Sequence, residues 1–251
     1  MRRVRVSREL FAAGLLLAAG CQGNNTRDGV SKVASVATTV TAPLSIVTGS
    51  GPDTFPDSET FPRILPHALN ARALLAAVPV ENEHQGGYKR DLFGGEWIEQ
   101  PDCLNTRNEV LARDSETEAI RTGCSVTAGS WLSPYDVVQQ NDPAALQIDH
   151  LVPLKEAWDS GAWAWTGNQR LAFANDLRYR HALIAVTSAV NTSKGDRDPS
   201  NWLPPLDAAR CKYVAWYTAQ KWRWALSMDQ SEWGRINNVM ATCTQSDLAT
   251  E

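Results

Sequence analysis

Apolar and polar positions follow helical or strand patterns over most of the chain beyond about residue 66. The patterns predict helices at residues 67–77, 108–114, 155–159, 169–176, 208–226 and 230–241. Runs rich in β-branched residues predict strands at 125–131, 145–152 and 183–188. Separate helices and short strands within one stretch of chain indicate an α+β domain.

The helix predicted at 208–226 has the clearest pattern. One face at helical spacing is apolar and is formed by Cys211, Val214, Ala215, Thr218, Trp222 and Leu226. Lys212, Gln220 and Arg223 are predicted to point outward. We expect this helix to brace the domain, with most tryptophans of the chain packed in its core.

The N-terminal region has a different pattern. Residues 1–20 begin with a cluster of arginines and continue with an apolar run, Leu10 to Ala19, that is too short to span a bilayer. Residues 22 to about 62 are polar and have no sustained period, which predicts a flexible tether. The sequence therefore predicts a signal peptide at 1–20, a tether at 21–62 and a folded domain at 63–247.

Residues 17–21, at the end of the predicted signal peptide and the start of the tether, read Leu-Ala-Ala-Gly-Cys and resemble the lipobox of bacterial lipoproteins. The resemblance implies that Cys21 is lipidated and anchors the protein to the outer face of the cell membrane. The alternative is an ordinary cleaved secretory signal that contains a cysteine. Both interpretations place the protein outside the cytoplasm, on the cell surface or secreted.

Composition allows many functions, because 43% hydrophobic and 21% charged residues are ordinary for a globular protein. The net charge of −4 becomes about −7 without the signal peptide, which carries four arginines and one glutamate. Any contact with nucleic acid therefore needs a local basic patch or a bound cation.

Five cysteines are an odd number for an exported chain, and lipidation of Cys21 would leave four. Sequence order suggests that Cys103 pairs with Cys124 and Cys211 with Cys243, although three connectivities are formally possible. None of these four cysteines has the close spacing of a zinc site. We expect two disulfides in an oxidising compartment.

The candidate chemistry begins at Asp149 and His150, in the strand predicted at 145–152. The carboxylate can hold a hard divalent cation, and the imidazole can accept a proton from water. Adjacent strand residues point to opposite faces, so both side chains can reach one site only if the strand ends or distorts near Pro153. Taken alone, an Asp-His pair is more often a structural salt bridge or cap.

Roughly forty residues later the chain has Asn191 and Lys194 in an N-x-x-K arrangement. Together with the Asp-His strand, this resembles the HNH nucleases, whose ββα-metal core is also called the His-Me finger. The resemblance implies that Asp149 and Asn191 hold a metal ion and that His150 is the general base. Asn191 stands where the archetypal motif has a histidine, so Mg²⁺ is expected rather than Zn²⁺, with Mn²⁺ as an alternative.

A closer resemblance is to exported bacterial HNH proteins related to the nuclease part of modification-dependent restriction enzymes. Its motifs cover nearly the whole predicted domain, namely Tyr88, Arg90, Phe93, Gly94, Trp97, residues 106–108, Asp149-His150, residues 157–158, residues 160–162, residues 173–176, Asn191, residues 194–196, residues 198–199, residues 202–205, Cys211 and Cys243. One extra residue before Thr106 departs from the pattern. It puts a second metal or substrate role of that stretch in doubt.

Other candidate site residues also have simple structural explanations. Asn175 either cross-links the loop between the two strands, as the central asparagine does in the superfamily, or caps a turn. Lys194, Arg90 and Arg107 are candidates for gripping substrate phosphates, but lone basic residues are more often solvated or paired. His67 and His181 lack chemically suitable neighbours in the sequence and are assigned no role.

The sequence thus predicts an exported HNH endonuclease that hydrolyses phosphodiester bonds with a divalent metal ion. Its expected substrate is DNA, its membrane contact is through the lipid anchor alone, and no obligate protein partner is expected. The alternative is a surface-anchored module that keeps the HNH fold and binds nucleic acid or glycan without catalysis. A cell-wall hydrolase would need a zinc-ligand set or paired carboxylates that the motifs do not supply.

Overall fold

The structure is a computed structural model that describes residues 62–66 and 70–250. The predicted signal peptide, Cys21, almost all of the tether and His67 lie outside the described residues. Within the described part, no helix is both long enough and apolar enough to cross a membrane.

The domain combines short helices with two-stranded antiparallel sheets, which confirms the α+β class. The helices are α1 (Ala71–Ala77), α2 (Thr106–Asp114), α3 (Leu154–Asp159), α4 (Gly167–Ala174), α5 (Ser188–Lys194), α6 (Asp207–Arg223) and α7 (Gln230–Ala241). The strands are β1 (Ile120–Thr122), β2 (Ser125–Ala128), β3 (Trp131–Leu132), β4 (Gln139–Gln140), β5 (Leu146–His150) and β6 (Leu183–Thr187). Short 3-10 helices lie at Arg90–Phe93, Pro143–Ala145, Ala162–Ala164 and Ser246–Leu248.

A β5–β6 hairpin followed directly by α5 forms the centre of the domain. The strands pair antiparallel, with Leu146 opposite Thr187 and His150 opposite Leu183. The Thr187 side chain accepts a hydrogen bond from the Val190 amide and so caps the start of α5. The sequence pattern predicted no helix at residues 188–194, whereas Asn191 and Lys194 lie in α5.

Both faces of the hairpin are buried, but in different hydrophobic clusters. Ile148 and Leu183 pack with residues of α2, β2 and Trp131 in the smaller cluster. Ile184 and Val186 pack in the larger cluster, which also contains the core residues of α6 and α7. Side chains that alternate along β5 and β6 therefore enter two separate environments.

Helix α6 packs along the larger cluster, but two of its residues that were predicted to point outward are buried. Gln220 and Arg223 are buried at 2% and 4% exposure, while Lys212 is exposed as predicted. Arg223 is buried because its guanidinium donates to Asp176 Oδ2 and to Gln220 Oε1, each at 2.7 Å. A buried charge is tolerated when it is paired and hydrogen-bonded in this way.

A second cluster of buried ion pairs connects α3, which follows β5, to α6 and α7. The Lys221 ammonium lies 2.5 Å from Glu156 Oε1 and 3.2 Å from Glu232 Oε2. It also donates to Ser160 Oγ and the Ser227 carbonyl. These contacts fix the position of the chain that leaves β5.

Both predicted disulfides are present. Cys103–Cys124 connects the turn before α2 to the β1–β2 turn, with the Cα atoms 5.2 Å apart. Cys211–Cys243 connects α6 to the residues after α7, with the Cα atoms 5.7 Å apart. The pairing suggested by sequence order is therefore confirmed.

Candidate functional site

His150 ends β5 and is held by a backbone carbonyl. Its Nε2 lies 2.9 Å from the carbonyl oxygen of Ala174, at the end of α4. A carbonyl can only accept, so this contact places the ring proton on Nε2 and leaves a lone pair on Nδ1. The imidazole is thereby oriented in the tautomer that can accept a proton at Nδ1.

The indole of Trp97 covers the His150 ring. The two rings are stacked at a centroid distance of 5.2 Å and an interplanar angle of 13°. Gly94, in the segment leading to Trp97, has a φ of +100°, and a Cβ there would meet Leu171 of α4. Trp97 appeared in the sequence analysis only as part of a family pattern, without a role.

Asn175 connects the two segments that contact His150, one with Trp97 and the other with Ala174. Its Oδ1 accepts from the Ile98 amide at 3.2 Å, and its Nδ2 donates to the Leu171 carbonyl at 3.0 Å. Ile98 adjoins Trp97 and Asn175 adjoins Ala174, so the amide ties both neighbours of the imidazole together. These contacts are those of a cross-link between two segments, which favours that interpretation over a simple turn cap.

The surroundings keep His150 uncharged. Burial lowers its pKa from the model-peptide value of 6.5 to about 3, and the positive charges of Arg90 and Lys194 act in the same direction. The bond to Ala174 opposes this shift. Since only the neutral imidazole can accept a proton, the ring is in its basic form at ordinary pH.

Asp149 points away from His150, into a buried ion pair. Its two carboxylate oxygens accept from the Lys194 ammonium at 2.6 and 2.8 Å, and Oδ2 also accepts from the Tyr135 hydroxyl at 2.8 Å. Lys194 is 0% exposed and also donates to the His150 carbonyl at 2.7 Å. Burial raises the pKa of Asp149, and the positive charge of Lys194 opposes that rise.

The predicted metal ligands therefore do not form a ready cation site. Strand β5 stays regular through His150, so Asp149 and His150 keep opposite directions. Asn191 is partly exposed and its Nδ2 donates to Gln147 Oε1 at 2.8 Å. Among the described residues, no hydrogen bond joins the side chains of His150, Asp149 and Asn191.

The three basic candidates have different surroundings. Lys194 is buried with three acceptors around its ammonium, so it is not placed to contact a substrate phosphate. Arg107 donates to the carbonyls of Pro143 and Leu146 and supports the start of β5. Arg90 is exposed and lines the cleft that contains His150 and Trp97. Arg90 is therefore the best placed of the three to meet a phosphate.

Three carboxylates that are far apart in the sequence, and that no sequence motif connects, lie together in the structure. Oxygens of Glu83, Asp198 and Asp229 all lie within 4.8 Å of one another. Burial and the neighbouring carboxylates raise the pKa of Glu83. Such a group has the oxygen ligands that hard cations prefer, but exposed acidic groups are common without an ion.

Comparisons with known proteins identify relatives of the region that contains this site. Residues 105–235 match the family described as GmrSD restriction endonucleases, C-terminal domain. An uncharacterized secreted protein of Arthroderma benhamiae is 40% identical over 183 residues, which make up 72% of this chain and 89% of the relative. No solved structure matches the chain. The matched family region includes the whole β5–β6–α5 unit.

Proposed function

This chain belongs to the family of GmrSD restriction endonuclease C-terminal domains, and from that membership we propose that it hydrolyses phosphodiester bonds in nucleic acid, with DNA as the substrate. The observation that supports this most is the state of His150. Its ring is neutral, fixed by Ala174 through Nε2, and lies in a cleft with the exposed guanidinium of Arg90.

In the proposed reaction, Nδ1 of His150 takes a proton from water while the water oxygen attacks phosphorus. A new phosphorus–oxygen bond forms, the bond to the leaving 3′ oxygen breaks, and that oxygen takes a proton from solvent water. Arg90 contacts the phosphate through a charge-assisted hydrogen bond. The negative phosphate raises the pKa of the nearby imidazole, which makes it a stronger base when substrate is bound.

A divalent metal ion is implied by the nuclease family, and Mg²⁺, with Mn²⁺ as the alternative, is the proposed ion. Asp149 does not fit a ligand role in this structure, because the buried Lys194 occupies both of its oxygens. Asn191 alone offers one neutral amide oxygen, which is too little for a Mg²⁺ site. We therefore assign no step to an ion held by this pair.

The proposed location is outside the cytoplasm. The two disulfides fit an oxidising compartment, and the relative at 40% identity carries the name of a secreted protein. A lipid anchor at Cys21 remains part of the proposal. Replacement of Cys21 by Ser should release the protein from the membrane fraction, and unchanged fractionation would contradict the anchor.

Nicking of supercoiled plasmid tests the activity, using oxidised protein that lacks residues 1–20. We expect cleavage with Mg²⁺ or Mn²⁺, loss with EDTA, and a decrease of about 10² to 10⁴ in rate for His150→Ala. The matched control is His84→Ala, because His84 stacks on Trp163, away from the cleft. Cleavage by His150→Ala at the wild-type rate would contradict the proposed base.

The alternative function is a binding module without catalysis. This alternative is supported by the ion pair between Asp149 and Lys194, because a carboxylate paired in this way is not free to bind a metal ion. It predicts that the wild-type protein binds nucleic acid but cleaves none of the single-stranded or double-stranded DNA and RNA substrates with any divalent ion. The plasmid assay together with a binding assay separates these two functions.

A further inference from the structure

Two adjoining cavities lie beside the chain that connects α4 to β6. The larger cavity measures about 420 Å³ and is lined by Arg178 and Arg180, among others. The smaller measures about 190 Å³ and is lined by Trp216 and Leu132, among others. Arg180 and His181 line both cavities, which therefore form one continuous surface that we term the basic groove.

The groove presents guanidinium groups to solvent. The side chains of Arg178 and Arg180 are 66% and 62% exposed. Their nearest carboxylate oxygens are on Asp176 at 3.9 Å and on Asp114 at 3.6 Å, which is beyond hydrogen-bond length. The chain has a net charge of −4, so this local basic surface is where it can attract a polyanion.

A pair of stacked rings lies beside these arginines. The rings of His181 and Trp216 are 3.9 Å apart and nearly parallel, at 8°. Burial, together with the positive charges of Arg180, Arg113 and Lys212, lowers the pKa of His181 to about 4. His181 is thus a neutral flat ring within positive surroundings. Aromatic rings next to basic side chains are what proteins use to bind single-stranded nucleic acid.

The connection between α4 and β6 leads from the His150 cleft to the groove. At one end, Asn175 lines the cleft together with His150. At the other end, Arg180 and His181 precede Ala182, whose carbonyl accepts from the Leu151 amide at 3.0 Å. The same short connection therefore contributes residues to both the cleft and the groove.

We infer that the basic groove binds a single-stranded segment of the nucleic-acid substrate through its phosphates and through stacking on the His181–Trp216 pair. The inference rests on the proposed function for the class of substrate. It adds a binding surface that extends beyond the cleft, and it predicts a preference for unpaired over paired nucleic acid.

Fluorescence anisotropy with a labelled oligothymidylate tests the groove. All proteins carry His150→Ala, so that binding is measured without cleavage. The Arg178→Ala/Arg180→Ala double variant should bind about ten-fold more weakly, and its salt dependence should lose a slope of about 1.4, which corresponds to two phosphate contacts. Arg121→Ala/Arg235→Ala removes two exposed charges elsewhere and should change the dissociation constant less than about two-fold.

Stacking is tested separately at Trp216. Trp216→Ala should weaken oligothymidylate binding by about ten-fold, whereas Trp216→Phe should retain most of it. Equal binding by the two arginine double variants would overturn the inference. So would equal affinity for heparin and oligothymidylate with no effect of Trp216→Ala, because the groove would then be a general polyanion site.

The outcome for the groove is independent of the outcome for catalysis. If His150→Ala still cleaves plasmid at the wild-type rate while the groove variants lose binding, the proposed base is wrong and the groove is supported. If His150→Ala abolishes cleavage while the groove variants bind normally, the nuclease is supported and the groove is overturned. Thermal unfolding of each variant shows whether it is folded, which matters most for Trp216→Ala, because Trp216 is partly buried and packs against the larger cluster.

Discussion

Removal of the Lys194 ammonium is the most informative perturbation of this domain. Lys194→Met keeps the length of the side chain but leaves Asp149 buried without a cation, 4% exposed and bonded only to Tyr135. Breaking a buried ion pair from one side typically costs about 3 to 5 kcal/mol. Since the free energy of unfolding of a domain is typically about 5 to 15 kcal/mol, Lys194→Met should remove a large share of it.

Urea unfolding measures this cost, with Arg121→Met as the control. The Arg121–Asp102 pair is 45% and 44% exposed, so its loss should cost far less than the loss of the buried pair. The Asp149→Leu/Lys194→Met double variant should recover part of the loss, because it removes both charges from the core. The difference from additivity gives the coupling energy of the pair.

The penalty for Lys194→Met should also depend on pH. Without the ammonium, burial raises the pKa of Asp149 in the folded chain above the unfolded value of about 3.9. The folded state then binds a proton more tightly than the unfolded state, so the variant becomes relatively more stable as pH falls towards the unfolded pKa.

Two results would refute this reasoning. One is a cost of Lys194→Met below about 1 kcal/mol, which is the value for an exposed pair. The other is stabilisation of the wild-type protein by Mg²⁺ that disappears in Asp149→Asn. That result would show that the carboxylate holds a cation and that Lys194 moves aside.

Three further outcomes are expected. Cys211→Ser/Cys243→Ser should lower the free energy of urea unfolding by about 2 to 4 kcal/mol, and no change would mean that the bridge is not formed. Asn175→Ala should cost about 1 to 3 kcal/mol and reduce cleavage, because the amide holds both neighbours of His150; full activity in the plasmid assay would exclude that role. Between about pH 6.5 and 4, His150 and His181 should each reduce stability as pH falls, by up to about 1.4 kcal/mol per pH unit, because their folded pKa values are about 3 and about 4. Glu232 acts in the opposite direction, because burial raises its folded pKa to about 8. The stability change measured by urea unfolding between pH 7 and pH 5 should therefore differ between the wild type and His181→Gln, and an equal change would contradict the histidine contribution.

The sequence predicted those features that depend on local pattern. Helix α7 has the predicted bounds because its apolar residues follow one helical period. Strands β5 and β6 lie within the predicted strands, which were recognised from their β-branched and apolar runs. Helix α5 was missed, since its Asn191, Thr192 and Ser193 are weak helix formers and the helix depends on its Thr187 cap.

Features that depend on distant contacts could not be predicted. A lone lysine such as Lys194 is expected at the surface, and only the fold shows that α5 directs it to Asp149. The stacking of Trp97 on His150 likewise joins two segments that are far apart in sequence. The direction of Asp149 was predictable from strand alternation, but the expected distortion at the end of β5 does not occur.

The two disulfides determine how long the folded protein persists rather than what it does. They enclose residues 103–124 and 211–243, so the β5–β6–α5 unit lies outside both loops. If each bridge contributes about 2 to 4 kcal/mol, it lowers the unfolded population by about thirty-fold to almost a thousand-fold. Proteases cleave the transiently opened chain, so degradation slows by a similar factor. For a protein proposed to act outside the cytoplasm, where cytoplasmic chaperones cannot refold it, the disulfides would limit its degradation by surrounding proteases.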